Sequence, residues 1–223
     1  MYQTDIACHV TTIIHEYCYQ LNSDDVSDPD LPLIKSKAVG GTLAMWRKWL
    51  DPYITVHPMQ SPAILALILQ LPGANTSVHI AIYLPTSGKE YEYISELASL
   101  QNCLDELRDM YDNPVVFIRG DGNCNPKNVS RYNLLSRFIS TNNLAQVKIH
   151  HPTYHHFVGQ GKFDSNIDII LYSNHPLVTE NSTKIMCKFD HPEITSHHDI
   201  IISKFTLPGQ KPPDESEGLA VAP

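Results

Sequence analysis

A carboxylate and a carboxamide stand two residues apart in Gly120-Asp121-Gly122-Asn123, directly after the apolar run Val115-Val116-Phe117-Ile118. That run, set off by Asn113-Pro114, reads as a short buried strand, and the Gly-Asp-Gly-Asn reads as the turn at its C-terminal end. Strand ends of this kind are where α/β folds usually hold their chemistry. Alone, these four residues would be ordinary turn formers, because Asp, Asn and Gly dominate turns for backbone reasons. Four other segments change the weighing: Ile14-His15-Glu16, Tyr83-Leu84-Pro85, Ser165-Asn166-Ile167-Asp168 and Ser196-His197-His198-Asp199, most of them preceded by a plausible strand.

A strand followed by Gly-Asp-x-Asn, with those four segments in that order, resembles the endonuclease/exonuclease/phosphatase superfamily. His151-Pro152-Thr153-Tyr154 and Ile167-Asp168-Ile169-Ile170-Leu171 are most similar to its retrotransposon branch, the apurinic-type endonuclease domains of LINE-type (non-LTR) elements. The resemblance implies a DNase I-like fold: a mixed α/β sandwich of two β-sheets face to face, flanked by helices, in one domain over residues 1–207. It also implies a metal-dependent phosphodiester hydrolase that nicks DNA. Glu16, Asp121 and Asn123 offer only hard oxygen donors, which suit Mg²⁺ or Mn²⁺ acting as a Lewis acid on a phosphoryl oxygen. No residue of the set is an obvious covalent nucleophile, so water is the natural attacker.

By the same resemblance, Glu16 and Asp121 are the metal-site carboxylates. Asp121 orients or deprotonates the water, Asn123 positions water and phosphate, and Tyr83 contacts the phosphate. His198 stands on the opposite side of the phosphate, paired with Asp168, whose carboxylate fixes the imidazole tautomer and favours its cation. The sequence departs from the family pattern at four places. His197 stands where the family has an aspartate, Thr86 replaces an asparagine, and Gly122 replaces a phenylalanine, which removes a packing anchor and is expected to loosen the turn. The strand carrying the family's first metal-site asparagine would lie before residue 1, so the chain is expected to be truncated at its N-terminus. These departures define the alternative of a catalytically degenerate member, a binding module or mobile-element relic. A third reading takes His150, His151, His155, His156, His197 and His198 as a Zn²⁺ or Cu²⁺ site, ranked below ordinary surface-loop histidines.

The bulk composition bounds these readings. At 223 residues, with 42% hydrophobic and 18% charged residues, the chain suits one large soluble α/β domain. No apolar run reaches membrane-span length and no secretory pattern opens the chain, so no membrane partner is expected and the expected location is nuclear or cytoplasmic, while DNA is the partner that the resemblance implies. Five widely spaced cysteines without a CxxC pair indicate neither a disulfide framework nor a thiolate zinc site. A net charge of −8 argues against strong non-specific nucleic-acid binding.

Periodicity supplies the elements that must position the chemistry. Strands are predicted over 42–50, 61–70, 78–83, 115–119, 147–150, 167–172, 184–189 and 199–205, with Pro72-Gly73-Ala74-Asn75 turning one antiparallel pair. Ile94, Leu97, Leu100, Leu104, Leu107 and Tyr111 recur at helical spacing behind a Ser87–Glu90 capping box. A second helix is predicted over 129–140, stopped by Asn142-Asn143. Residues 208–223, rich in Pro, Gly, Asp, Glu and Ser, read as a disordered tail.

Overall fold

The central strands are apolar at nearly every position, Ile64-Leu65-Ala66-Leu67-Ile68 being buried throughout, which requires cover on both faces of their sheet. A computed structural model describes residues 17–22, 42–158, 161–176, 178–187, 189 and 197–207 and shows what provides that cover. In chain order the strands are β1 (Tyr17–Asn22), β2 (Thr42–Arg47), β3 (Ile54–His57), β4 (Ile64–Leu69), β5 (Ser77–Tyr83), β6 (Val115–Asp121), β7 (Leu144–Gln146), β8 (Tyr154–Val158), β9 (Gly161–Ser165), β10 (Asp168–Ser173), β11 (Thr179–Met186) and β12 (Ile200–Thr206). The helices are α1 (Glu90–Met110), between β5 and β6, and α2 (Val129–Thr141), between β6 and β7.

Six strands form one mixed sheet in the order β3-β4-β5-β6-β10-β7. Among the described residues its only parallel neighbours are β5 and β6, joined through α1 in a β-α-β crossover. Strand side chains alternate between faces. One face (Ala66, Ile80, Ile118 and Leu171 among others) packs with Tyr93, Leu97, Leu104, Leu135 and Phe138 of the two helices as the main core. The other face is covered in two places. Ala44 and Trp46 of β2 lie on Leu65, Leu67 and Ala81, while Phe205 of β12 lies with Tyr172 on Val115 and Phe117.

The result is a three-layer mixed α/β fold of the DNase I-like kind. The expected second sheet consists, among the described residues, of two-stranded ribbons, β1-β2 and β11-β12, set on the face opposite the helices. A third ribbon, the β8-β9 hairpin, had no periodic signal in the sequence. No helix among the described residues is long and apolar enough to cross a membrane.

Several local expectations are corrected. Residues 147–150 are not a strand; β7 is the preceding Leu144–Gln146, paired with β10, while Val147 donates singly to Ile170 O. The strand expected at 184–189 lies earlier, at Thr179–Met186, because it pairs along the whole of β12. Residues 48–50 leave the strand for a 3-10 turn at Lys48–Tyr53. The Ser87–Glu90 capping box does not form: Lys89 occupies the cap without a side-chain bond, and Glu90 turns to Arg131 at 2.7 Å. Residue 16, residues 23–41 and the 208–223 tail lie outside the described residues.

Candidate active site

Three neighbouring strands end in register. Tyr83 of β5 is the cross-strand partner of Asp121 in β6, and Asp121 is the partner of Asp168 in β10. Directly opposed residues share a face, so two carboxylates and a tyrosine are set side by side at one end of the sheet, on its ribbon-covered side. His198 arrives from the far end of the chain, just before β12, and forms an isolated bridge with Tyr154 at the start of β8. Its Nδ1 lies 3.0 Å from Asp168 Oδ2 and its Nε2 lies 3.8 Å from Asp121 Oδ2. The imidazole thus spans the two carboxylates.

Burial makes this arrangement electrostatically tense. The side chains of His198, Asp121 and Asp168 are only 16%, 11% and 13% exposed. Burial first, and the Asp168 charge second, push the Asp121 carboxyl up to about 7, against the opposing pull of His198 and the Asn123 amide. Burial acts against the His198 cation, yet the hydrogen bond to Asp168 and the charges of Asp168 and Asp121 raise its pKa above the ordinary value. Asp168 is itself held by Thr153, which is fully buried and whose Oγ1 donates to Asp168 Oδ2 at 2.6 Å.

The turn after β6 is tied down rather than loosened by Gly122. Asn123, at φ 43, takes the left-handed conformation that asparagine tolerates, and its N–H donates to Asp121 Oδ1 at 2.8 Å. Its Nδ2 donates to Leu84 O at 2.7 Å, Leu84 N–H to Asp121 O at 2.9 Å, and Gly122 N–H to Ile167 O at 2.8 Å. A Cβ at Gly122 would sit 3.2 Å from both Ile167 O and Ile169 Cδ1, so Ile169 fills the space that a side chain would need. Gly120 has a stricter requirement. At φ +141, a Cβ there would fall 2.0 Å from Ile82 O, and only glycine lets β6 pair with β5 at this point.

A buried arginine fixes the same corner from below. Arg131 of α2, 1% exposed, donates to Glu90, to the carbonyls of Pro85, Thr86 and Asn123, and lies 4.4 Å over the Tyr93 ring. It ties the loop after Tyr83 to the loop after Asp121. Beside Asp168 a cavity of about 410 Å³ opens between α2 and residues 147–150, lined by Tyr132, Ser136, Lys148, His150 and Asn166.

Of the residues singled out from sequence, Asp121, Asp168 and His198 are brought into one contact, Tyr83 stands in register beside them, and Asn123 braces the turn. Glu16 lies outside the described residues. Sequence reasoning missed the holding role of Thr153, although Pro152-Thr153-Tyr154 marked it, and missed Arg131, which carries no motif. The histidine tracts do meet: the rings of His156 and His197 are 5.4 Å apart, and His197 and His198 both edge onto Tyr154. His150 instead lines the cavity, and His155 turns inward to Asp164 and Asp199. The strand-end donors Tyr83, Asp121 and Asp168 are all oxygen, the kind that suits a hard dication, and His198 bridges the two carboxylates.

No protein-family model matches the sequence, and no curated protein matches it. Solved structures do match by fold. The endonuclease domain of TRAS1, a telomere-specific non-LTR retrotransposon, superposes with a TM-score of 0.64 at 14% identity, covering 94% of this chain and 93% of that one. The human Nocturnin catalytic domain with bound sulfate gives 0.58 at 14% identity, over 86% of this chain and 72% of that one. D. rerio TDP2 complexed with a single-strand DNA product gives 0.54 at 14% identity, over 86% and 77%.

Proposed function

We propose that this chain, which has the DNase I-like fold of the endonuclease/exonuclease/phosphatase superfamily, is a metal-dependent phosphodiester hydrolase that nicks DNA. The observation that carries the reading is the Asp168–His198–Asp121 row at the ends of adjacent strands, with Tyr83 in register beside it. Asp121, at the end of β6 and beside His198, would orient a water and take its proton as the water attacks phosphorus. His198, kept cationic by Asp168, would supply positive charge to the developing phosphorane from beside Asp121 rather than from across the phosphate. Thr153 holds Asp168 in place, and Tyr83 borders the phosphate. Asp121 and the hard donors around it would hold Mg²⁺ or Mn²⁺, with Glu16 as a further ligand; the ion's contribution is Lewis-acid polarisation of a phosphoryl oxygen. DNA is taken as the substrate because the TRAS1 domain belongs to a retrotransposon and the TDP2 structure holds a DNA product.

The test is nicking of supercoiled plasmid with Mg²⁺, with Mn²⁺ and with EDTA. Wild type is expected to nick with metal only, and Asp121→Ala and His198→Ala are each expected to reduce the rate by about a hundredfold or more. His197 in the position of the family's aspartate favours a second reading, a folded binding module without catalysis. An absence of metal-dependent nicking by wild-type protein with an intact melting transition would support that reading and reject the hydrolase.

A further inference from the structure

The β8-β9 hairpin carries a second constellation, separated from the phosphate-facing residues. His155 and Asp199, 6% and 2% exposed, meet with His155 Nε2 3.0 Å from Asp199 Oδ2. Cys187, just after β11, completes a group whose three donor atoms all lie within 4.8 Å of one another. His155 Nδ1 is 2.7 Å from Asp164 Oδ1. We propose that His155 Nε2, Asp199 and Cys187 Sγ form a Zn²⁺ site of three protein donors with the fourth position left to water, and that Asp164 is the carboxylate that orients the ligating imidazole.

The chemistry of the set separates it from the oxygen-only site at the strand ends. An imidazole, a carboxylate and a thiolate are the donors of tetrahedral zinc, and the thiolate excludes Mg²⁺ as the natural occupant. Zinc bonds of roughly 2.0–2.3 Å at tetrahedral angles space their donors by about 3.3–3.8 Å. The imidazole and carboxylate, 3.0 Å apart, would open by about 0.3–0.8 Å to admit the ion, and the half-buried Cys187 would close in from within 4.8 Å. In the proposed site the proton would sit on Nδ1 and be donated to Asp164, 2.7 Å away, leaving the Nε2 lone pair for the metal, the carboxylate–histidine–metal pattern. The ring is enclosed by Phe189 at 5.0 Å, and Lys162 lies 4.7 Å over Phe189 while pairing with Asp164 at 3.0 Å.

The site's position gives it a purpose. Its ligands come from β8, from the stretch after β11 and from the residue before β12, three segments far apart in sequence. His155 follows Tyr154, the bridge partner of His198, and Asp199 follows His198 itself. Backbone bonds already run alongside, from His155 N–H to His197 O and from Asp199 N–H to Thr153 O. A zinc ion there clamps the hairpin to the His198 segment and fixes the imidazole's placement without touching substrate.

The proposal is tested on metal content, independently of nuclease activity. Protein purified without an affinity tag is expected to hold about one zinc per chain by elemental analysis. Replacement of that zinc by Co²⁺ alone is expected to give the visible bands of a tetrahedral site and a near-ultraviolet thiolate-to-cobalt band. Cys187→Ser should abolish the thiolate band, and His155→Asn should abolish stoichiometric binding. Asp121→Ala and His198→Ala should leave both intact, so a failed nicking assay does not bear on this site. Circular dichroism melts confirm that each variant is folded. Folded wild-type protein holding no stoichiometric zinc and giving no cobalt bands would overturn the proposal. A thiolate band that survives Cys187→Ser would overturn it equally.

Discussion

At the scale of single residues, the candidate site depends on groups that hold other groups. Thr153 is fully buried behind Asp168, and its hydroxyl is the fixed donor that orients Asp168 toward His198. Removing one buried hydrogen-bond partner costs roughly 1–3 kcal/mol where the other is left unsatisfied. Thr153→Val, close in shape, is therefore expected to lower the melting temperature by a few degrees and the nicking rate about tenfold through a looser Asp168–His198 pair. Thr153→Ser, which keeps the hydroxyl, should recover most of that loss. Equal rates for wild type and the valine variant would remove Thr153 from the set.

At the scale of elements, strand ends and loops are locked by contacts that no motif announces. The β5–α1 loop and the Asp121 turn belong to different crossings of the sheet, and the fork of Arg131 joins them through three carbonyls and Glu90. A guanidinium can serve these acceptors in one plane, which an ammonium cannot. Arg131→Met is expected to cost about 2–4 kcal/mol in urea unfolding, because buried carbonyls lose their donor, and to weaken nicking by displacing Asp121. Arg131→Lys should rescue neither property. Glu90→Gln should cost far less, since Glu90 is half exposed and the carbonyl contacts remain. An unchanged unfolding midpoint in Arg131→Met would show that the corner is held without it.

At the scale of the whole molecule, the sheet has to pack two ribbons on its second face, and His79 sits between the regions they cover. Its cross-strand neighbours are Leu67, on the β2 side, and Phe117, on the β12 side, and its ring stacks on Phe117 at 5.2 Å. Burial first, and the Arg119 charge second, lower its pKa to about 3. The unfolded chain takes up that proton near the ordinary histidine value and the folded one only near pH 3, so the unfolded state binds more protons between them. The stabilisation is complete above about pH 6.5 and declines as pH falls toward 3, by at most about 1.4 kcal/mol per pH unit. His79→Gln is expected to flatten the stability curve between pH 6.5 and 4 in urea titrations. An identical pH slope in both proteins would show that His79 does not make this contribution.

The sequence by itself determined the parts governed by local rules. Continuous apolar runs specified the buried strands β4 to β6, 3.6-residue spacing specified α1 and α2, and Gly-Asp-Gly-Asn specified a turn at a strand end. The ordered segments around Tyr83, Asp121, Asp168 and His198 resembled one superfamily, whose fold the structure has. Only the tertiary structure decided which of these meet. Cross-strand register set Tyr83, Asp121 and Asp168 in a row, and a bridge to Tyr154 swung His198 onto Asp168 across 30 residues of chain. The β8-β9 hairpin, the buried Arg131 fork and the meeting of Cys187 with His155 and Asp199 left no local trace. Each depends on long-range packing, which brings together side chains whose sequence separation carries no information about their distance.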